Sequence, residues 1–204
     1  MTTAASALVR RGRLLAGATL VYNTVEVVLA LAAGITAGSI ALVGFGVDSF
    51  IELAASAIAL WRLEEELEPD TRSDAEAISA WLVGVSFLLL GAYLALRAFM
   101  ALLNQEAPEP SALGIVIALI SLLVMPALAR EKRRVAEALG SDALRAECVQ
   151  TSLCAWLSAI LLAGLVLRAA FGWWWADPVA ALLMTPIIVR EGLETMRSST
   201  AGAR

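Results

Sequence analysis

A chain of 204 residues that is 60% hydrophobic and 17% charged, with a mean hydropathy of +0.79, carries more apolar side chain than a soluble core of that size can bury. Its 15 basic and 19 acidic residues, with no histidine, give a net charge of −4, and no basic surface for nucleic acid is present. The composition predicts an all-α membrane protein. Six apolar blocks use nearly the whole chain and leave no room for a soluble domain of ordinary size.

Lipid cannot satisfy free backbone groups, and no strand-like alternation is visible, so each block is read as a helix. Runs near the roughly 20 residues that cross hydrocarbon fall at about 13–35, 38–62, 76–103, 111–130, 143–169 and 178–196, a single transmembrane domain over 1–204. The first follows Arg10, Arg11 and Arg13 and carries Tyr22, Asn23 and Glu26 near its middle. Asn23 and Glu26 interrupt the apolar run "VLALAAG", so it reads as a full-length, uncleaved helix and not as a signal peptide.

The second span holds Asp48 and Glu52, spaced to share one face. Asp48 lies about ten residues in from Ser39, near the bilayer centre at roughly 1.5 Å per residue. Its small residues, such as Gly44, Gly46 and Ser49, predict close helix contacts. The linker "EEELEPDTRSD" leads into the third span, with Ser73 or Asp74 expected as its cap. The fourth span ends before the charged stretch "EKRRVAEALGSD".

The fifth places Glu147, Gln150 and Cys154 at i, i+3 and i+7, one helical stripe. Cys148 and Cys154, six residues apart, point to different faces and are not expected to bridge. The sixth opens on "GWWWADP", an interfacial aromatic anchor with Asp177 as cap and Pro178 in the first turn.

Of the 15 basic residues, all but Arg97 and Arg168 fall on one side of this arrangement. That bias predicts a multi-pass protein of a bacterial-type inner (plasma) membrane with both termini cytoplasmic.

A charged carboxylate at mid-bilayer costs at least ~2.5–3.5 kcal/mol, so Asp48 and Glu52 require a compensating charge. With every Lys and Arg read towards a membrane face, protons or a bound metal ion must supply it. Gln150 and Cys154 come to the same level from the fifth helix. Alone, Gln150 reads as an interhelical hydrogen bond and Cys154 as a small packing residue; beside the acids they complete a candidate site. Glu26 is a further ligand, a proton carrier or a structural acid, and Asn23 faces the same way. Two carboxylates neutralise a divalent cation, and oxygen donors with one sulfur suit Zn²⁺, Mn²⁺ or Fe²⁺. Such ligands shed protons to bind metal, which couples metal entry to proton release.

"GSIALVGFGVDSFIELAASAIALW" resembles the second-helix segment of the cation diffusion facilitator family, with Asp48 and Glu52 at its two ligand positions. "LRAECVQTSLCAWLSAILLAG" resembles the fifth-helix segment, where the family writes H-x-x-x-D and this chain has Gln150 and Cys154. "WADPVAALLMTPIIVREG" resembles the opening of helix six. The resemblance implies a homodimer that exchanges Zn²⁺ or a related ion for protons between helices two and five, closest to short members without the usual cytoplasmic C-terminal domain. The fifth-helix departure leaves Glu147 or Glu26 to supply a missing carboxylate.

Two functions follow as expectations. The first is a divalent-metal efflux transporter driven by proton antiport, with the lipid bilayer and a second copy as its partners and no resident cofactor. The alternative is a non-transporting membrane subunit that keeps the fold and has a degenerate site. An enzyme is not expected, for lack of a nucleophile-base pair with histidine and of a Gly-rich phosphate loop.

Overall fold

A computed structural model of the chain describes residues 3–65, 74–140 and 142–202. These form six helices: α1 Thr3–Ala37, α2 Ile40–Glu65, α3 Asp74–Asn104, α4 Ala112–Leu139, α5 Asp142–Phe171 and α6 Ala176–Gly202. There is no strand among the described residues. Each helix overruns the end of the apolar run that predicted it, because leaving hydrocarbon does not itself end a helix. Ser73, one of the two caps expected for α3, lies outside the described residues.

The largest correction concerns α4. The sequence reading ends it at about residue 130, where charges begin, but "EKRRVAEAL" contains only residues compatible with a helix and no breaker. The helix therefore continues until Gly140 adopts φ 64° and its N–H bonds the Ala136 carbonyl. The added turns bury Lys132, Val135 and Ala136, the last two beside Leu144 of α5.

The helices alternate in direction. At one end, here the loop end, Glu109 N–H bonds the Ala37 carbonyl at 2.8 Å and Arg168 Nε bonds the Pro108 carbonyl at 2.7 Å. At the other, the terminal end, Arg11 near the start of α1 pairs with Glu131 of α4 at 2.5 Å. There too the start of α3 meets the end of α6: a Cβ on Gly84 would lie 2.8 Å from the Gly192 carbonyl oxygen, so only glycine permits this backbone approach.

The α1–α2 corner turns on Gly38, at φ 66°. Ser39 then caps α2, its Oγ accepting from Leu42 N at 3.1 Å. Asp177 is not the cap of its own helix, as the sequence suggested. It sits inside the first turn of α6, and its buried carboxylate accepts from Ser39 Oγ and from Ile40 N at 2.8 Å. The cap is tertiary: α6 satisfies the free N–H groups of α2.

Among the described residues, five helices contain a stretch long and apolar enough to span a membrane: Ala7–Ala37, Ile40–Ile58, Trp81–Asn104, Ala112–Leu139 and Glu147–Phe171. The sixth predicted span falls short of that standard because Arg190, Glu191 and Glu194 follow its apolar run. It packs along α3 instead, the most extensive helix pair, followed by α4 with α5 and α1 with α2. α2 is the central element, touching α1, α3, α5 and α6. Towards the loop end its Leu42 and Phe45 join Leu94, Leu161 and Met184 in a fully buried apolar layer.

Candidate metal-binding site

The polar half of the interior begins directly below that layer. Glu26 of α1 is buried at 3% exposure, and its carboxylate draws together four helices. Tyr22 Oη donates to its Oε1 at 2.9 Å. Ser49 of α2 donates to its Oε2 at 2.8 Å. Cys154 Sγ of α5 lies 3.9 Å from the same oxygen and 3.8 Å from Ser121 Oγ of α4. Asp48 is 5% exposed and stands within electrostatic range of Glu26, Glu52 and Glu191 of α6.

Glu52, one turn on from Asp48, belongs to a second chain of contacts that runs towards the terminal end. Its Oε1 lies 2.8 Å from Thr151 Oγ1, placed to donate to it. That hydroxyl accepts from Lys132 Nζ at 2.8 Å, and Lys132 also binds Glu147 Oε1 at 2.7 Å. Lys132 and Glu147 are both fully buried side chains. This overturns the expectation that no basic residue reaches the acids. The extra turns of α4 carry Lys132 inside, where it supplies part of the compensating charge that was assigned to protons or metal.

The structure thus gathers Glu26, Asp48, Glu52 and Cys154 in one region, joins Glu147 to it through Thr151, and leaves Gln150 aside. Gln150 is half-buried and makes no hydrogen bond among the described residues. Helix geometry explains why. At roughly 100° per residue, Thr151 lies about 40° to one side of Glu147 and Cys154 about 20° to the other, whereas Gln150 lies about 60° away. The inward stripe is Glu147, Thr151, Cys154 and Ser158, and its i, i+4, i+7 spacing was available in the sequence. Ser121 and Lys132 carried no such signal, because their inward position depends on where α4 packs.

Asn23 is buried with neither end of its amide paired, and Glu52 Oε2, Glu147 Oε2 and Ser56 Oγ are likewise buried without a partner. Buried polar atoms are rarely left unsatisfied, so the oxygens of this group, Asn23 Oδ1, Glu52 Oε2, Glu147 Oε2 and Ser56 Oγ, are electron-pair donors available to a cation. Among the described residues no three His, Cys, Asp or Glu side chains converge on one point. A bound ion would therefore draw the acids together or take hydroxyl, amide or water oxygens as well. Cys148 and Cys154 form no bridge with each other, as expected from their spacing, and both are buried.

The family described as the cation efflux transmembrane domain matches residues 18–201. The chain belongs to this family. With five membrane-length helices, it is a multi-pass membrane protein. Among similar proteins, the cation-efflux pump FieF of Shewanella oneidensis is 27% identical over 179 residues, covering 82% of this chain and 58% of that protein. An uncharacterized transporter of Synechocystis is 28% identical, over 76% of this chain and 52% of its own. The magnetosome protein MamB of Paramagnetospirillum magneticum is 28% identical over 83% and 59% respectively. The chain thus spans just over half the length of these relatives.

Proposed function

We propose that this protein exports a divalent metal cation, zinc or a metal of similar chemistry, in exchange for protons. The observation that carries the reading is the buried group of Glu26, Asp48 and Glu52 with the Cys154 thiol, below a fully buried apolar layer and inside a family of cation-efflux domains. Asp48 and Glu52 are the principal ligands, facing Cys154 across α2 and α5. Glu26 is the nearest further acid, and Glu147 lies on the route from the terminal end. Ion binding at these carboxylates displaces protons, so the same atoms couple the two fluxes. The working unit is a homodimer in the inner membrane with both termini cytoplasmic.

Metal flux into proteoliposomes, with and without an imposed pH gradient, tests this. Uptake of Zn²⁺, Mn²⁺, Fe²⁺, Co²⁺ or Cd²⁺ that accelerates with the gradient and is lost in Asp48→Asn supports it. No flux of any of these from a well-folded preparation sinks it. The second reading, a non-transporting subunit, is favoured by Lys132, since a resident cation already serves part of the site. It predicts that Asp48→Asn is harmless or stabilising, because a costly buried acid is removed.

A further inference from the structure

The outer side of the α4–α5 pair bears a groove of about 360 Å³ that takes no part in the metal site. Its shape follows from small residues, one on α4 and three on α5. Ala129 on α4 faces Ser152, Ala155 and Ala159 on α5, so the helices leave a furrow between larger flanking residues. Ala155 and Ala159 line this open channel. Trp156, 68% exposed, forms one wall. The floor is chemically quiet, because the Cys148 thiol donates to the Ala129 carbonyl at 3.1 Å.

The terminal end of the furrow is different. Arg130 and Arg133, one turn apart, both line it and both are exposed. Among the described residues neither has an acid partner. Arg11 and Arg134 nearby are committed to Glu131, which leaves two unpaired guanidinium groups at one mouth of an apolar channel. From Leu122 to Arg133 the lining extends over eleven residue steps of α4, or about 16 Å along the axis. That is about half the ~30 Å hydrocarbon thickness, the depth of one leaflet.

We propose that this groove is a binding site for an anionic phospholipid of the leaflet on the side of the termini. Its phosphate engages Arg130 and Arg133, and one acyl chain lies along Ala129, Ala155 and Trp156. Paired arginines at the membrane face recognise phosphate oxygens as a fork, and an apolar channel continuous with the hydrocarbon accepts the chain. A second copy of the protein fits less well, since a twofold contact centred on the arginine mouth sets four guanidinium groups against one another.

The test is native mass spectrometry of the full chain in detergent, titrated with phosphatidylglycerol or phosphatidylcholine. One phosphatidylglycerol is retained per chain in preference to phosphatidylcholine. The double variant Arg130→Gln with Arg133→Gln weakens phosphatidylglycerol binding roughly 20–30-fold and leaves phosphatidylcholine unchanged. Ala155→Phe, which fills the furrow but keeps both arginines, also loses the lipid. Arg134→Gln, on the flank paired with Glu131, has little effect. Circular dichroism checks that each variant folds. Equal binding by the double variant overturns the proposal, as does an equal loss in Arg134→Gln, which would mark diffuse surface charge. Quantitative disulfide dimerisation of Ala159→Cys in phosphatidylglycerol bilayers also overturns it, because a second copy then occupies the groove.

Discussion

Replacing Lys132 with methionine removes the partner that Glu147 Oε1 has among the described residues, where Glu147 Oε2 has none. Both side chains are fully buried and 2.7 Å apart, so the change leaves an uncompensated acid inside the bundle and an unfilled bond at Thr151. Breaking a buried pair from one side costs about 3–5 kcal/mol. For a chain of this size that corresponds to a fall in Tm of roughly 6–20 °C. Thermal unfolding in dodecyl maltoside, followed by far-ultraviolet circular dichroism, measures it. Glu147→Gln alone should cost less, since an amide keeps the size and a hydrogen bond to the ammonium. The double variant Lys132→Met with Glu147→Leu should recover most of the loss, because an apolar replacement of a whole buried pair is often neutral. If Lys132→Met unfolds within a degree of the parent and the double variant is no better, Lys132 is not the buried counter-charge of α5 and the account of the site's electrostatics fails.

Three further outcomes follow from the contacts described. Asp177→Ala removes the acceptor of Ser39 and of the Ile40 N–H, and unfolding in the same assay should show a loss of about 1–3 kcal/mol. Gln150→Ala should leave metal affinity within about twofold, whereas Thr151→Val, which breaks the contacts with Glu52 and Lys132, weakens it about tenfold or more by isothermal titration, one bond to a charged group being worth roughly 1.5–3 kcal/mol. Cys154→Ser exchanges a soft donor for a hard one, and competition binding should move preference from Cd²⁺ and Zn²⁺ towards Mn²⁺.

The six helices were legible because lipid imposes a length and a composition on every crossing segment. Asp48, Glu52, Glu26 and Cys154 stood out for the same reason: polar atoms in an apolar run demand a partner. What escaped the sequence depends on packing. Lys132 looked like a loop residue because apolar runs report where hydrocarbon stops, and α4 continues past that point. Asp177 carried the local signature of a cap, yet the N-terminus it serves is brought to it from 137 positions away in the chain. Gln150 was placed on the inward stripe by its i, i+3 spacing from Glu147, but the packed face of α5 runs through the i+4 neighbour, Thr151, and leaves Gln150 at its edge.

The central claim is that these buried acids hold a mobile divalent cation, and anomalous diffraction from crystals soaked in Zn²⁺ addresses it most directly. The account predicts one strong peak about 2.0–2.3 Å from a carboxylate oxygen of Asp48 or Glu52 and from the Cys154 sulfur, absent in Asp48→Asn. A map in which Asp48 and Glu52 diverge into dry packing, with no ion among α1, α2 and α5, contradicts it.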